Sequence, residues 1–553
     1  MVTEYGIKFT ANLINNHFGN LVAKVCENLL RRGPLTLQLI VRYTELTPQQ
    51  VKNSLLILIQ HNCVQAFSYE QDGGLEDGPK SNTHYMALFN NILHRMRFSK
   101  FLEIISREFD DKCKELLEGL LQHGRLTLKQ MVERAKDMAE RAKSRKKEGI
   151  CEDLVQESLV KLLTARYVER CPASEPVLAA RDKEETPAKK RGPKSARTAE
   201  ESQTLEQRVL AAAAPMGAQR FSVITNNESS VSRETSTDDS PGMRVGAKRK
   251  YDALELHIEP AAEEEEVVPW RANFEEFIRC LRHKACIENV RERLDDGAAT
   301  VLRAMLEATR SLENKVKTEK SVPLSLNNIF EEVMKSEEGR GMTLDRVRAS
   351  LVQLGCSPSA RGTDESYKID LKKIIELAQN DEVESIVLKR YGRDAYRMFR
   401  LLSKNGRLVE TDKIANTTFV EKKDAPKILY KLWKDEYLHM EKLVVAGARQ
   451  SQFLLWKVNK PCLWKHVLDE MFHAALNLSQ RVAYEREKEK EFLNLPVDKQ
   501  VMSQEERLNR LKSVRIVLES SLLKLGDAFM LFHDFEESSL LKLDDAIMLS
   551  HDL

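Results

Sequence analysis

No CxxC pair and no Cys/His cluster at zinc-ligand spacing occurs in the 553 residues, and the nine cysteines are an odd number. Neither a structural zinc site nor a disulfide scaffold is expected, and a reducing compartment is the simple reading. Aromatic residues are few, at 6%, and helix formers dominate, which points to a helical, multi-domain chain. No run approaches the roughly 20 apolar residues of a membrane span. The opening MVTEYGIKFTANLINNHFG has no apolar core of a signal peptide, so a soluble intracellular protein with no membrane partner is expected. Excess charge is absent too: 87 basic residues face 85 acidic ones, net +2. Only local patches can therefore speak for a nucleic-acid partner.

Motifs of catalysis are missing as well. There is no GxxxxGKS/T phosphate loop, no GxGxxG after a strand, no HExxH and no GxSxG, so neither an enzyme, a cofactor, a metal nor a small-molecule substrate is expected. The 12 histidines are isolated. His17, His61 and His123 lie near helix ends without a carboxylate or cysteine at ligand spacing, and read as structural or solvated.

What the chain does have is a diverged internal repeat. LLRRGPLT at 29–36, LLQHGRLT at 120–127 and LLSKNGRL at 401–408 each end an amphipathic stretch. Gly33, Gly124 and Gly406 can each close a helix in the left-handed region. A turn, a second amphipathic segment and a third helix running into a strand follow each time. That is the plan of a winged helix, three small helices closed by a β-hairpin. In the first module Thr47, Pro48 and Gln50 supply N-cap, N1 and the far side of a capping box. Its wing should run Val64 to Tyr69 and return through His84 to Leu88. In the last module KLVV, AGARQ and QFLLWKV read as a hairpin. A further module spans about 300–379, with a plain helical domain as the alternative, and the stretch from Asn273 to Leu294 leads into it.

Residues 181–250 hold 14 basic and 10 acidic residues and few large apolar ones, too little to offset ordering entropy, so a disordered charged linker is expected. From Trp464 a heptad takes over: Trp464, Leu468, Met471, Ala475, Leu478 and Val482. Pro496 interrupts it, and Leu508, Leu511, Leu518, Leu522, Leu525, Phe529 and Phe532 resume it. Two such helices make an antiparallel coiled-coil hairpin. SSLLKLGDAFMLFHDF at 520–535 recurs as SSLLKLDDAIMLSHDL at 538–553, and the copy is expected to extend the last helix. The fold expected is mainly α with small β-wings. It comprises winged helices at 1–90, 91–178, 269–379 and 380–460, a linker at 179–268 and a helical hairpin at 461–553.

Basic patches are the remaining site candidates. Lys423, Lys427, Lys431 and Lys434 share one face of the presumed third helix of the last module, opposite Ile428, Leu429, Leu432 and Trp433. That face could meet DNA phosphates, and an ordinary solvated face is the alternative. Lysines without Arg, Asn or Gln beside them argue for backbone contact rather than base reading. Arg145, Lys146 and Lys147 cluster before the third helix of the second module, which itself starts acidic. The third helix of the first module carries one basic residue, so most modules look suited to protein partners. Lys189, Lys190, Arg191 and Lys194, with Lys248, Arg249 and Lys250 downstream, form candidate nuclear-import clusters.

The segments HFGNLVAKVCENLLRRGPLTLQLIV, NFEEFIRCLRHKACIENVRERLDDGAATVLRAML and VLESSLLKLGDAFMLFHDF together resemble one family, the winged-helix subunit of RNA polymerase III. The resemblance covers nearly the whole chain in the same order of parts. It implies a non-catalytic nuclear subunit, similar in design to the large subunit of the general factor TFIIE. It further implies a heterotrimer with two smaller subunits and contacts to the clamp of the largest subunit, the TATA-binding-protein assembly and promoter DNA. The role implied is promoter opening at transfer RNA, 5S ribosomal RNA and other small RNA genes. The family usually ends near the first copy of the tail repeat. Two other classes compete: a free winged-helix DNA-binding regulator, and a winged-helix scaffold subunit of another nuclear complex, such as a PCI-domain protein.

Overall fold

The computed structural model describes residues 2–69, 82–141, 148–178, 204–215, 217–222, 268–310, 320–356, 358–360, 365–445, 451–493 and 502–533. The chain forms two compact units. One comprises Met1–Arg32, Phe89–Arg97 and Phe274–Leu553, the other Gly33–Leu88 and Phe98–Asn273. The expectation of a mainly helical chain with small sheets holds.

One order of elements recurs: helix, short strand, two helices, then a wing. It reads Asn20–Arg32, Leu35–Thr36, Leu37–Thr44, Pro48–Gln60, Val64–Tyr69 and His84–Ala87. It returns as Asp111–His123, Arg125–Thr127, Leu128–Arg141, Glu148–Thr164 and Val168–Arg170. A third pass runs Asp296–Arg310, Leu324–Ser325, Leu326–Lys335, Leu344–Gln353, Ser359–Ala360 and Glu365–Tyr367. In the fourth, helix Leu371–Asn405 is broken at Gly392 (φ 85°, ψ −177°), and its second half opens the module. Val409–Glu410, Thr411–Thr418, Ala425–Lys434, His439–Val445 and Ser451–Lys457 complete it.

The local chemistry is regular. Thr47 accepts from the Gln50 amide and Gln50 answers, the expected capping box, with Pro48 in the first turn. Every third helix ends in the same cap. The amides of Cys63, Tyr167, Cys356 and Tyr437 donate to the carbonyls of Leu58, Leu162, Leu351 and Leu432, five residues back, at 2.8, 2.9, 2.9 and 2.8 Å. The residue before each donor is left-handed: Asn62, Arg166 and Glu436 at φ 57°, 64° and 61°, and Gly355 at φ 75°. All eight donor and acceptor residues are buried. This is a Schellman turn with its apolar contact, and it turns the chain from helix into wing. Tyr167 and Tyr437 then use their hydroxyls on carboxylates, Glu108 at 2.7 Å and Glu470 at 2.9 Å.

In the second unit the first wing pairs Val64 with Ala87 and Phe67 with His84, and Leu35 pairs with Tyr85. Val177–Leu178 adds a parallel edge strand beside Ser68 and Tyr69. The second wing corrects the expected boundaries. Strand Pro269–Ala272 lies between Arg125–Thr127 and Val168–Arg170, with Trp270 opposite both Leu126 and Arg170. Residues 269–272 thus belong to the second module, not the third. The linker expected over 179–268 is also not uniform. Helix Leu205–Ala213 opens with a Thr204/Gln207 capping box and buries Val209 against Phe67, Met86, Leu88 and Leu178. Buried Glu169 bridges Arg220 and Arg271 at 2.6 and 2.8 Å. The apolar spacing of Leu205, Val209 and Ala213, diluted by the surrounding composition, explains why these residues read as linker.

The two modules of this unit meet through polar side chains. Gln60 donates its side-chain amide to the carbonyls of His123 and Arg125 at 3.0 and 2.7 Å, and Arg125 Nε donates to Asn62 Oδ1 at 3.0 Å.

In the first unit, helices Lys460–Leu493 and Met502–His533 run antiparallel. Trp464 meets Phe532 edge-on at one end, and Glu489 pairs with Arg515 towards the other. Leu468, Met471, Ala475 and Val482 are buried as the heptad predicts, with Phe472 and Ser479 beside them. Those two mark a second correction. Helix Glu4–Phe18, expected within the first winged helix, packs along Lys460–Leu493. Tyr5 stacks on His473 at 4.1 Å, Phe9 meets Phe472, and Asn12 accepts from Ser479 at 2.9 Å. Phe89 and Arg97, near the expected boundary at 90, also join this unit: Phe89 lies edge-on to Phe472, and Arg97 donates to the Gly526 carbonyl. The apolar face of Glu4–Phe18 is legible in the sequence, but what covers it is 460 residues away. Residues 534–553, including the tail copy, lie outside the described residues.

Candidate nucleic-acid interface

The fourth module presents the lysine face. Helix Ala425–Lys434 buries Leu429 and Leu432 completely and Ile428 and Trp433 in part. Lys427, Lys431 and Lys434 are exposed on the other side. Lys423 is exposed too, but it sits in the turn before the helix and does not continue its face. Pro426, in the first turn, starts the helix after Lys423 rather than before it. Two of the four charges are partly neutralised locally: Lys423 lies 2.8 Å from Glu421 and Lys427 3.0 Å from Asp424. Lys431 stands 5.3 Å from the centre of the Tyr391 ring.

A polar network fixes this helix to its support. Arg390 donates to both oxygens of Glu470 at 2.7 and 2.9 Å, and Tyr437 donates to Glu470 at 2.9 Å. His466 Nδ1 lies 3.1 Å from Glu436, and Tyr391 donates to Asp435 at 2.7 Å. Burial, reinforced by Glu470, holds the Tyr437 hydroxyl above its ordinary range; burial and Asp435 do the same for Tyr391. Both phenols stay protonated as donors, so the wing, the broken helix and Lys460–Leu493 present the lysines on a rigid base.

The other candidates fall elsewhere. Arg145, Lys146 and Lys147 lie outside the described residues, as do Lys189, Lys190, Arg191, Lys194, Lys248, Arg249 and Lys250. The helix that follows the first cluster exposes Glu152, Asp153 and Glu157, a poor match for phosphate. The third helices of the first and third modules expose Leu56 (66%) and Val352 (72%), apolar side chains that offer a phosphate nothing. Sequence reasoning missed Phe419. It caps helix Thr411–Thr418 at φ 56° and is 91% exposed. A bulky left-handed residue is a conformational outlier, and nothing in NTTFVEKK signals it. Among the described residues no His/Cys/Asp/Glu group could hold a metal ion, and no helix is long and apolar enough to cross a membrane. None of the eight described cysteines is in a disulfide.

Three family models match the chain. The RNA polymerase III subunit RPC82 model covers residues 157–403. The RNA polymerase III subunit RPC82 helix-turn-helix domain covers 9–69. The POLR3C C-terminal winged-helix domain covers 383–458 and includes the lysine helix. Among curated proteins, DNA-directed RNA polymerase III subunit RPC3 of Bos taurus is 25% identical over 501 residues, 89% of this chain and 86% of its own length. The Homo sapiens protein of that name is 24% identical over the same shares. That of Dictyostelium discoideum is 21% identical over 626 residues, 88% of this chain and 93% of its own.

Proposed function

The chain belongs to the RNA polymerase III subunit RPC82 family, and from that premise we propose that it acts in transcription initiation as an accessory, non-catalytic subunit that helps open promoter DNA. The templates in this reading are transfer RNA, 5S ribosomal RNA and other small RNA genes. Its partners are two smaller subunits of a heterotrimer, the clamp of the largest subunit and the TATA-binding-protein-containing factor. Its place of action is the nucleus, with Lys189, Lys190, Arg191, Lys194, Lys248, Arg249 and Lys250 as import signals. Promoter DNA meets Lys423, Lys427, Lys431 and Lys434, and Arg145, Lys146 and Lys147, through its phosphates alone.

The observation that carries the reading is the length of the match, 89% of this chain against 86% of the Bos taurus polymerase subunit. The lysine helix supports phosphate contact in the fourth module. Affinity purification of the chain should bring down the large subunits of RNA polymerase III; their absence would reject the assignment. The lysines are tested by a variant with all four changed to glutamate, incorporated into the polymerase. Initiation on closed duplex should fall while a pre-melted template is spared. Equal activity on both would show a merely solvated face.

A further inference from the structure

The first helix of the fourth module carries a second cationic face, unrelated to the lysines. Beyond the break at Gly392, Arg393, Arg397, Arg400 and Lys404 follow at spacings of four, three and four, all exposed. At 100° per residue they fall within about 60° of arc and along about 16 Å of helix rise. Ala395, Met398, Phe399 and Leu402 occupy the opposite side and are buried. Arg407 follows just past the Gly406 cap, also exposed.

Three features set this row apart from an ordinary solvated face. The first is weak neutralisation. Arg397 is 3.7 Å from Asp394, and Arg400 is 3.7 Å from Glu384. Both exceed the roughly 2.7–2.9 Å of a charge-assisted hydrogen bond. Arg393 and Arg407 make no ion pair with a carboxylate among the described residues, and Lys404 shares the half-buried Glu384 with Arg400 only at longer range. Lys423 and Lys427, by contrast, have acids at 2.8 and 3.0 Å. The second is position. Arg393 occupies the first turn after the break, where the helix dipole disfavours a cation, so helix stability does not account for it. The third is purity. Within the half-helix no large apolar side chain is exposed, and Tyr396 is half-buried beneath the Arg400 guanidinium, which donates to its hydroxyl at 2.6 Å. The centre of a protein interface is depleted of charge; this face is made of it.

We propose that Arg393, Arg397, Arg400 and Lys404 form a binding face for the sugar–phosphate backbone of nucleic acid. The row spans the length of about five phosphates of one strand. Guanidinium forks match phosphate oxygens bidentately. Contact to phosphates is common to every sequence; Asn405 at the rim and the guanidiniums themselves are the groups able to reach a base edge. The inference rests on the reading above only in that the chain meets nucleic acid.

The test uses the purified full-length chain and a labelled mixed-sequence duplex titrated across a salt series. The variant changes Arg393, Arg397, Arg400 and Lys404 together to alanine. Because four phosphates are then left to their counterions, the wild-type affinity should fall roughly a hundredfold further than the variant's between about 50 and 200 mM salt. A set of glutamines at the same positions, also good helix formers, should behave as the alanine set does. Changing the three arginines to lysine should keep the salt slope. A variant of Lys423, Lys427, Lys431 and Lys434 runs alongside. If it alone loses affinity, the arginine row is overturned and the lysine reading stands. Unchanged slope in both neutral sets overturns the proposal. So does capture of polyglutamate by the row with duplex affinity unaltered, which would assign the face to an acidic protein segment.

Discussion

Alanine at Gly124 should part the first two modules, whereas alanine at Gly33 or Gly406 should not. All three glycines close the helix that opens their module, at φ 82°, 81° and 60°. An alanine in the left-handed helical region costs about 1–2 kcal/mol of strain, offset by roughly 0.4–1 kcal/mol through the stiffer unfolded chain. Gly124, at ψ −74°, departs from the left-handed helical cap expected of it, and its backbone strain adds to the contacts below. At Gly33 and Gly406 a methyl would meet nothing within 4 Å, so each loses about 1 kcal/mol. At Gly124 it would lie 2.1 Å from the Gln60 carbonyl oxygen and 2.8 Å from the His61 Cα. Both are backbone, with no side chain to swing aside. Overpacking adds about 1–3 kcal/mol, and the Gln60 and Arg125 hydrogen bonds go with the displacement, at about 0.5–1.5 kcal/mol each. The total is about 3 kcal/mol or more. Because the chain has two units, a single unfolding midpoint would blur the effect. Hydrogen exchange at the caps of Pro48–Gln60 and Asp111–His123 reads it directly. Protection there should drop on the order of a hundredfold, with amides of Ala425–Lys434 unchanged. A loss no larger than that of Gly33→Ala would refute the argument.

Three further outcomes are expected. Phe419→Gly should stabilise the fourth module by about 0.5–1 kcal/mol, because it relieves left-handed strain and removes no buried surface; exchange of the Thr411–Thr418 amides should slow, and faster exchange would mean the ring is packed. Burial, with Arg282, Arg279 and Arg310 nearby, pulls His283 from 6.5 to about 3. Its neutral form is favoured in the fold, so stability should fall as pH drops below 6.5 and stop falling near 3. An imidazole that titrates near its ordinary value in an NMR series would contradict this. Tyr437→Phe should cost about 1 kcal/mol by removing the hydroxyl that donates to Glu470, and exchange should quicken in His439–Val445. Unchanged exchange would show that Arg390 alone holds the carboxylate.

The sequence made local decisions visible and left remote ones hidden. Thr47, Pro48 and Gln50 state a helix start in three letters, and Val64 to Tyr69 state a strand. Two of the four matching turns into the wings were hidden because Arg166 and Glu436 adopt the left-handed conformation against their preference, while Gly355 and Asn62 are residues expected there. Pairing of Trp270 with Leu126 and Arg170 leaves no local trace. The lysine face was legible because helical spacing is arithmetic, but its neutralisation by Glu421 and Asp424 depends on side-chain placement. The arginine row, equally periodic, was obscured by the glycine that breaks the helix ahead of it.

The strand at Pro269–Ala272 changes what the long segment before it is. A connection between two modules must reach from one to the next, and its length sets how far apart they can stand. Here the chain leaves the second module at its wing and comes back to the same wing, with Arg170 opposite Trp270. The segment between is an excursion whose two ends are already held together. Each doubling of a loop's length costs only about 0.6 kcal/mol of closure entropy, so an insertion between residues 222 and 268, clear of the contacts made by Val177–Leu178, Leu205–Ala213 and Arg220, leaves the paired ends in place. A protease that cuts it leaves two fragments still joined by a sheet.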